Sequence, residues 1–412
     1  MIRLLLITSH FPPEISGGVG RPNSLFRHLP SHGIDVEILT LLHKDSNYQS
    51  DKIFRTSSLN SFDPDFRKFY FWFLRFINKI IKICGGHNSL DIRWLISALQ
   101  LLIKKDLIRS YSCLYVTFPS INPIIIALYL NWKYGVPYVV EFRDGLTFEP
   151  LVKMSPLQTF ITKYIEKKVI SNANSVVTVG RTISADLSVK YTKNINTVHN
   201  GFDASAIFNN VSESELNKEL NKNNKLTFVY FGNITYSKPR DVRFLFEGIK
   251  CFLNARYYSE SVQFIFYGRF SKHERELVEE KGLVGAVIFM PPVNADMMAK
   301  IGRCADFLLF YGVPGDRGFI SAKLMEYLSY ARPILGICSG NEAEEIINSA
   351  GVGLVTDFDP QSIADGIEKL VQTRTNFKFD IAKLLLYSRE AQAEKIYKII
   401  INSKFIMNHK VD

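Results

Sequence analysis

The sequence predicts an α/β protein made of two doubly wound, Rossmann-like domains. Three observations carry this reading. Short, β-rich apolar runs alternate with amphipathic stretches along almost all of the 412 residues, the pattern of βαβ units in a parallel sheet covered on both faces. After VHNGFD (198–203) comes a polar stretch, NNVSESELNKELNKNNK, with almost no core residues, and the alternation then restarts. The length suits two domains of about 200 residues each, and 47% apolar content supplies a core for both.

In the first half, strands are expected at 2–8, 34–41, 113–117, 137–142, 175–179 and 195–198, with helices at 121–134 and 156–171 among them. MIRLLLITSH reads as a buried first strand rather than a signal peptide, and no apolar run approaches the roughly 18 residues of a membrane span. The second half gives strand 226–231, helix 240–255, strand 262–267, helix 272–282, strand 286–290, helix 294–303 and strand 306–311, then strand 333–338 and helix 342–350. A last periodic segment, 381–402, has no strand partner of its own. The expected domains are therefore 1–200 and 201–380, followed by a C-terminal segment, 381–412.

Between the last two strands lies GFISAKLMEYLSYARPILG (318–336). Leu324, Leu328 and Ala331 follow helical spacing. Ser321 suits an N-cap, Ile320 and Met325 sit at staple positions, and Pro333 stops the helix. That leaves Lys323 and Glu326 in the first turn and a half. Glu326 either complements the positive end of the helix or does chemistry there.

The formal net charge is +10. Residues 1–200 hold 24 Lys/Arg against 14 Asp/Glu, and residues 201–412 hold 26 of each, so the excess lies wholly in the first half. Such asymmetry points to an anionic partner: a membrane surface, a nucleic acid or a phosphorylated substrate. No nucleic-acid-reading motif is visible, and the aromatics cluster in one run instead of being spread along a sheet, so nucleic acid is not expected. The five cysteines are scattered and lack metal spacing, which reads as reduced thiols and no zinc site.

Ligands of open parallel sheets bind beyond the carboxyl ends of the strands. Three such loops carry unusual residues. In SHFPPEISGGVGR (9–21), Gly17 and Gly18 free the backbone to approach an anion, or simply shape a turn. Neither GxGxxG nor GxxxxGK[ST] is present there, so neither a dinucleotide nor a P-loop nucleotide is indicated. In YFGNITYSKPR (230–240), Lys238 and Arg240 can hold phosphate oxygens or lie solvated. At the start of the 318–336 helix, the N–H groups of Ser321, Ala322 and Lys323 form an anion site. Glu326, one turn on, offers a fork suited to the paired hydroxyls of a ribose.

In the first half, Asp144 of EFRDGL follows a strand and either orients or deprotonates an acceptor hydroxyl, or pairs structurally with Arg143. His10 and Glu14 are further candidates on the acceptor side, unless they only pin their own loop. The Asp-x-Asp matches DPD (63–65) and DFD (357–359) adjoin prolines and read as loop residues. Residues 66–83, FRKFYFWFLRFINKIIKI, hold five Lys/Arg and no acid. They form either a segment lying on a membrane surface or a helix packed on the first domain.

Taken together, FPP with Gly17–Gly18, the run TFPSINPIIIALYL…VPYVVEFRDGL (117–146), HNGFD (199–203) and AKLMEYLSYARPIL (322–335) resemble a glycosyltransferase of the GT-B fold, family 4, over nearly the whole chain. The resemblance implies two Rossmann-like domains facing a cleft, with the C-terminal helix crossing back to the first. It implies a nucleotide-sugar donor with Glu326 on the ribose and the Ser321–Lys323 helix end on the diphosphate. Lys238 or Arg240 would neutralise the leaving phosphate, Gly17–Gly18 would close over it, and Pro292 and Val293 of FMPPV would sit near the base.

Transfer with retention of configuration, without a metal or other cofactor, is the family's habit. Two departures stand out: Gly318 takes the place of a second Glu eight residues before the first, and Asn233 that of the common Arg after the strand-end glycine. The expectation is a glycosyltransferase of surface-polysaccharide synthesis, cytoplasmic and peripheral on the inner membrane face, acting on a glycan or lipid-diphosphate-linked acceptor. The competing expectations are an idle nucleotide-sugar-binding or scaffold protein of the same fold, and a nucleotide-sugar epimerase.

Overall fold

The computed structural model describes residues 2–14, 16–42, 50–57, 91–147, 155–208, 225–234, 241–255, 261–318, 320–374 and 377–403. The segment 66–83, the DPD match and the cations Lys238 and Arg240 lie outside the described residues. The chain forms two units, Met1–His199 with Arg389–Asp412, and Asn200–Ser388.

The first unit is built on seven parallel strands: β1 (Ile2–Ile7), β2 (Ile34–Leu41), β3 (Ile53–Thr56), β4 (Cys113–Phe118), β5 (Tyr138–Phe142), β6 (Ser175–Thr178) and β7 (Asn196–Thr197). Their order is β3-β2-β1-β4-β5-β6-β7, with Leu4 beside both Val36 and Cys113. The central strands are unbroken apolar runs because helices cover both faces. On one face lie α2 (Ile92–Lys104), α3 (Ile121–Tyr134), α4 (Pro156–Asn172) and α5 (Arg181–Tyr191), burying Trp94, Leu130, Val169 and Leu187. On the other lie α1 (Gly20–His28) and the C-terminal α13 (Arg389–Asn402), where Ala393, Ile396 and Ile400 pack with Leu25 and Leu29.

The second unit has six parallel strands: β8 (Leu226–Phe231), β9 (Val262–Tyr267), β10 (Val287–Met290), β11 (Phe307–Tyr311), β12 (Ile334–Ile337) and β13 (Gly353–Thr356), in the order β10-β9-β8-β11-β12-β13. Phe228 stacks between Phe264 and Phe307, at centroid distances of 5.1 and 4.5 Å, and ties the three central strands together. Helices α6 (Val242–Asn254), α7 (Lys272–Glu280) and α11 (Pro360–Thr373) cover one face. Helices α8 (Ala295–Cys304), α9 (Ala322–Ser329) and α10 (Glu342–Ala350) cover the other.

The α/β class, the two doubly wound sheets and the returning C-terminal helix all agree with the sequence reading. The periodic stretch 381–402 is not one helix, however. It divides into α12 (Ile381–Leu385) and α13, because the chain between them pairs with residue 202: the Phe202 N–H donates to the Tyr387 carbonyl at 3.3 Å. No helix among the described residues is long and apolar enough to cross a membrane.

Candidate functional site

In the second unit the strand order reverses between β8 and β11, so the loops after these two strands leave in opposite directions and open a crevice. The loop after β8 begins with Gly232 at φ +102°, and its N–H donates to the Tyr267 carbonyl at 2.7 Å. Asn233 locks the next strand end, its Oδ1 accepting from the Arg269 N–H at 2.8 Å. The exposed Arg269 is thus held at the carboxyl end of β9. The far end of the β8 loop is anchored by Tyr311, whose hydroxyl donates to the Asp241 carbonyl at 2.6 Å.

The loop after β11 delivers α9. Ser321 is its N-cap, the side chain accepting from the Lys323 N–H at 3.3 Å. That bond occupies one of the N–H groups expected to meet an anion, while Ala322 stays exposed at the helix start. The Lys323 side chain runs back over β8: a Cβ built on Gly232 would fall 1.8 Å from its Nζ, which also stands 5.8 Å from the Tyr230 ring centroid. Tyr327, one turn on, is buried and accepts from the Phe231 N–H at 3.0 Å. Burial raises its phenol pKa well above the usual value, so it stays neutral. Lys323 and Tyr327 therefore fix α9 on the end of β8, directly at the crevice.

Glu326 lies on α9 between these two positions, half-buried. Burial, with the Glu326 charge adding to it, raises the hydroxyl pKa of Tyr330. The Tyr330 ring in turn packs so close to Gly302 of α8 that a Cβ there would lie 2.4 Å away. Ahead of α8, Pro292 is exposed, and the half-buried Val293 packs on the same core cluster as Leu324 and Met325. Asn294 caps α8, accepting from the Met297 N–H at 2.9 Å. The structure thus gathers Ser321, Lys323 and Glu326 on one short helix, with Val293 packed on the same cluster.

Asn341 was not expected. Its buried carboxamide accepts from the Val313 N–H at 3.0 Å and donates to the carbonyls of Val313 and Asp316 at 2.8 and 2.9 Å. It braces the loop that delivers α9. Gly318 in this loop is half-buried. Asp359 of the DFD match caps α11, accepting from the Ser362 N–H at 2.9 Å.

The first unit has its reversal between β1 and β4. The β1 loop there carries His10, whose Nδ1 lies 2.9 Å from the Glu14 carboxylate. Gly18 sits against the same imidazole, with space for no Cβ: one would lie 2.6 Å from the ring. Arg143 donates from Nη1 to the Gly18 carbonyl at 2.6 Å and from Nε to the Phe118 carbonyl at 3.2 Å. Burial lowers the pKa of this guanidinium, with Glu141 and Asp144 opposing. Arg143 thus ties the glycine loop to β4, and Asp144 beside it is exposed, as is Gly17. The structure brings His10, Glu14, Gly18 and Arg143 into one cluster.

Beneath this loop is a buried ion pair that the sequence did not announce. Arg21 Nε stands 2.9 Å from Glu141 Oε1, and Arg21 Nη2 also donates to the carbonyls of Val198 and His199 at 2.5 and 2.6 Å. A charged Glu inside a β5 run otherwise apolar was the available signal, since it requires a buried cation.

Residues 225–373 match the family described as Glycosyl transferases group 1. Among solved structures, the chain is similar to sucrose-phosphate synthase from Thermosynechococcus elongatus, at 14% identity over 98% of this chain and 99% of that one, with a TM-score of 0.66. It is also similar to a glycosyltransferase from Rickettsia africae, at 13% identity, 98% of both chains and TM-score 0.63. A third is Anabaena HepE in complex with UDP, at 12% identity, 98% of this chain and 100% of that one, TM-score 0.66. These likenesses establish the fold as GT-B. No curated protein matches the sequence.

Proposed function

We propose that this chain, whose residues 225–373 carry a group 1 glycosyl transferase domain, moves a sugar from a nucleotide-activated donor to a glycan or lipid-linked acceptor. One observation supports the reading above all. At the reversal point of the second sheet, a capped helix start and the Lys323 ammonium converge on the Gly232 backbone, with Glu326 one turn along. A diphosphate suits the first feature and a ribose the second.

In this reading Lys323, with Lys238 or Arg240, neutralises the departing diphosphate, and the helix start adds its dipole without reorganising. Arg269 is a further cation held at the neighbouring strand end. Val293 and Pro292 border the base. In the first unit, Asp144 stands exposed to orient or deprotonate an acceptor hydroxyl, and Arg143 positions the Gly17–Gly18 loop. The transfer retains configuration and runs on protein cations rather than a metal. The cationic excess of residues 1–200 suits an anionic, lipid-diphosphate-linked acceptor, and residues 66–83 suit contact with the inner membrane face. Surface-polysaccharide synthesis is the setting these features fit.

The test follows release of nucleoside diphosphate from a panel of nucleotide sugars, with and without a glycolipid acceptor. Acceptor-dependent release supports transfer. Conversion of the donor without acceptor would make the protein an epimerase, and binding without turnover an idle member of the fold.

A further inference from the structure

Helix α4 turns a greasy line toward solvent. It buries Thr162, Glu166, Val169 and Ile170. On the opposite side Leu157, Phe160 and Tyr164 recur at spacings of three and four, and they are 56%, 71% and 57% exposed. The outward line of a helix on a globular domain is normally polar. Here the next place in the line is Lys168, whose Nζ lies 5.7 Å from the Tyr164 ring centroid, and Lys163 and Lys167 flank it, all exposed.

The charge on this face is of one sign for a structural reason. Glu166, the only acid of α4, is drawn inward by the Thr147 hydroxyl at 2.7 Å, the Tyr191 hydroxyl at 2.6 Å and the Lys190 ammonium at 2.6 Å. Helices α2 and α3, which share this side of the sheet, contain no Asp or Glu, and the single acid of α5 is the exposed Asp186. Helix α3, packed alongside α4, adds Trp132, 77% exposed and followed by Lys133. Aromatic rings with an apolar body, flanked by long cationic side chains and, among the described residues of α2, α3 and α4, by no outward carboxylate, match the boundary between lipid headgroups and acyl chains. A second copy of the same face would set these lysines against one another.

We propose that the outer face of α4, with Trp132 of α3, docks on an anionic phospholipid surface. Phe160, Tyr164 and Trp132 enter the headgroup boundary while Lys163, Lys167 and Lys168 meet lipid phosphates. This deepens the membrane-side reading above by naming a contact surface, and it stands apart from the chemistry.

The experiment sediments the full-length chain with vesicles of phosphatidylcholine, with and without phosphatidylglycerol. It compares wild type with Phe160→Ser/Tyr164→Ser and with Lys163→Ser/Lys167→Ser/Lys168→Ser, and follows melting temperature, oligomeric state and donor turnover in parallel. Wild type is expected to bind only the phosphatidylglycerol vesicles, and less so in high salt. The aromatic pair loses about tenfold in affinity and the lysine triple on the order of a hundredfold, with melting unchanged. Full binding by both variants puts the contact elsewhere and overturns the proposal. So does absence of wild-type binding, or a dimer that the variants dissociate. If the vesicle results hold while no donor turns over, the transferase reading fails and this one stands.

Discussion

The Lys323 ammonium lies over the backbone of Gly232, so close that a Cβ on that glycine would stand 1.8 Å from Nζ. The lysine reaches from a helix start to a strand end, and the glycine makes the approach feasible. Gly232 also holds φ +102°, a backbone state that side chains other than glycine rarely adopt. The two residues form one device for presenting a cation at the reversal point of the sheet.

Replacing Gly232 with Ala therefore strains the backbone and displaces Lys323 together. The expected cost is about 1–3 kcal/mol of stability, with weaker binding of a nucleoside diphosphate. Urea unfolding and titration calorimetry on the Gly232→Ala protein check this; unchanged values in both would separate the glycine from the site.

Lys323→Met keeps the apolar stem and removes the charge. Diphosphate affinity should fall by about 1.5–3 kcal/mol, the worth of a hydrogen bond to a charged group, while affinity for the unphosphorylated nucleoside holds. The ratio of the two dissociation constants, measured for both proteins, is the readout. Equal losses for both ligands would mean that Lys323 only shapes the loop.

Tyr327→Phe leaves the buried Phe231 N–H without its acceptor at 3.0 Å. An orphaned buried donor costs about 1–3 kcal/mol, so the melting temperature should drop. Because Tyr327 fixes α9 on β8, donor affinity should fall as well. A protein as stable and as tight-binding as wild type would show that packing alone seats the helix.

The Arg21–Glu141 pair, with 4% and 0% of its side-chain surfaces exposed, should give a strongly coupled double-mutant cycle. Arg21→Met or Glu141→Leu alone strands a buried charge, at about 3–5 kcal/mol each. The double replacement should cost well under the sum of the two, though not nothing, because Arg21 also holds the carbonyls of Val198 and His199. Additive costs would contradict the pairing.

The strands were easy to read because each central one is covered on both faces and must be apolar throughout, as LLLI in β1 and FLLFY in β11 are. The short β3 and β13 are only partly buried and carry no such run. Ser321, Lys323 and Glu326 were legible because a capped helix start with charges in its first turns is an unusual local pattern. Tyr327 was not, since a tyrosine at a core position of KLMEYL looks like packing, and its use is a long-range bond to Phe231. The same holds for Asn341, which resembles a helix cap in SGNEAEE but instead clamps a loop 25 to 28 residues earlier. Arg143 beside Asp144 offered a structural ion pair only as one alternative; the Arg143 donors reach carbonyls at Phe118 and Gly18, contacts that only the fold creates.

Everything proposed for the second unit depends on Glu326 holding a ribose. The direct test is thermal unfolding of wild type and Glu326→Ala against a panel of nucleoside diphosphates and nucleotide sugars. A ligand at about 100 times its Kd stabilises the folded state by about 2.7 kcal/mol, a readable shift. The account predicts that one base gives that gain to wild type and that Glu326→Ala loses most of it. An equal response from both proteins, or none from either, would reduce Glu326 to a charge complementing a helix end.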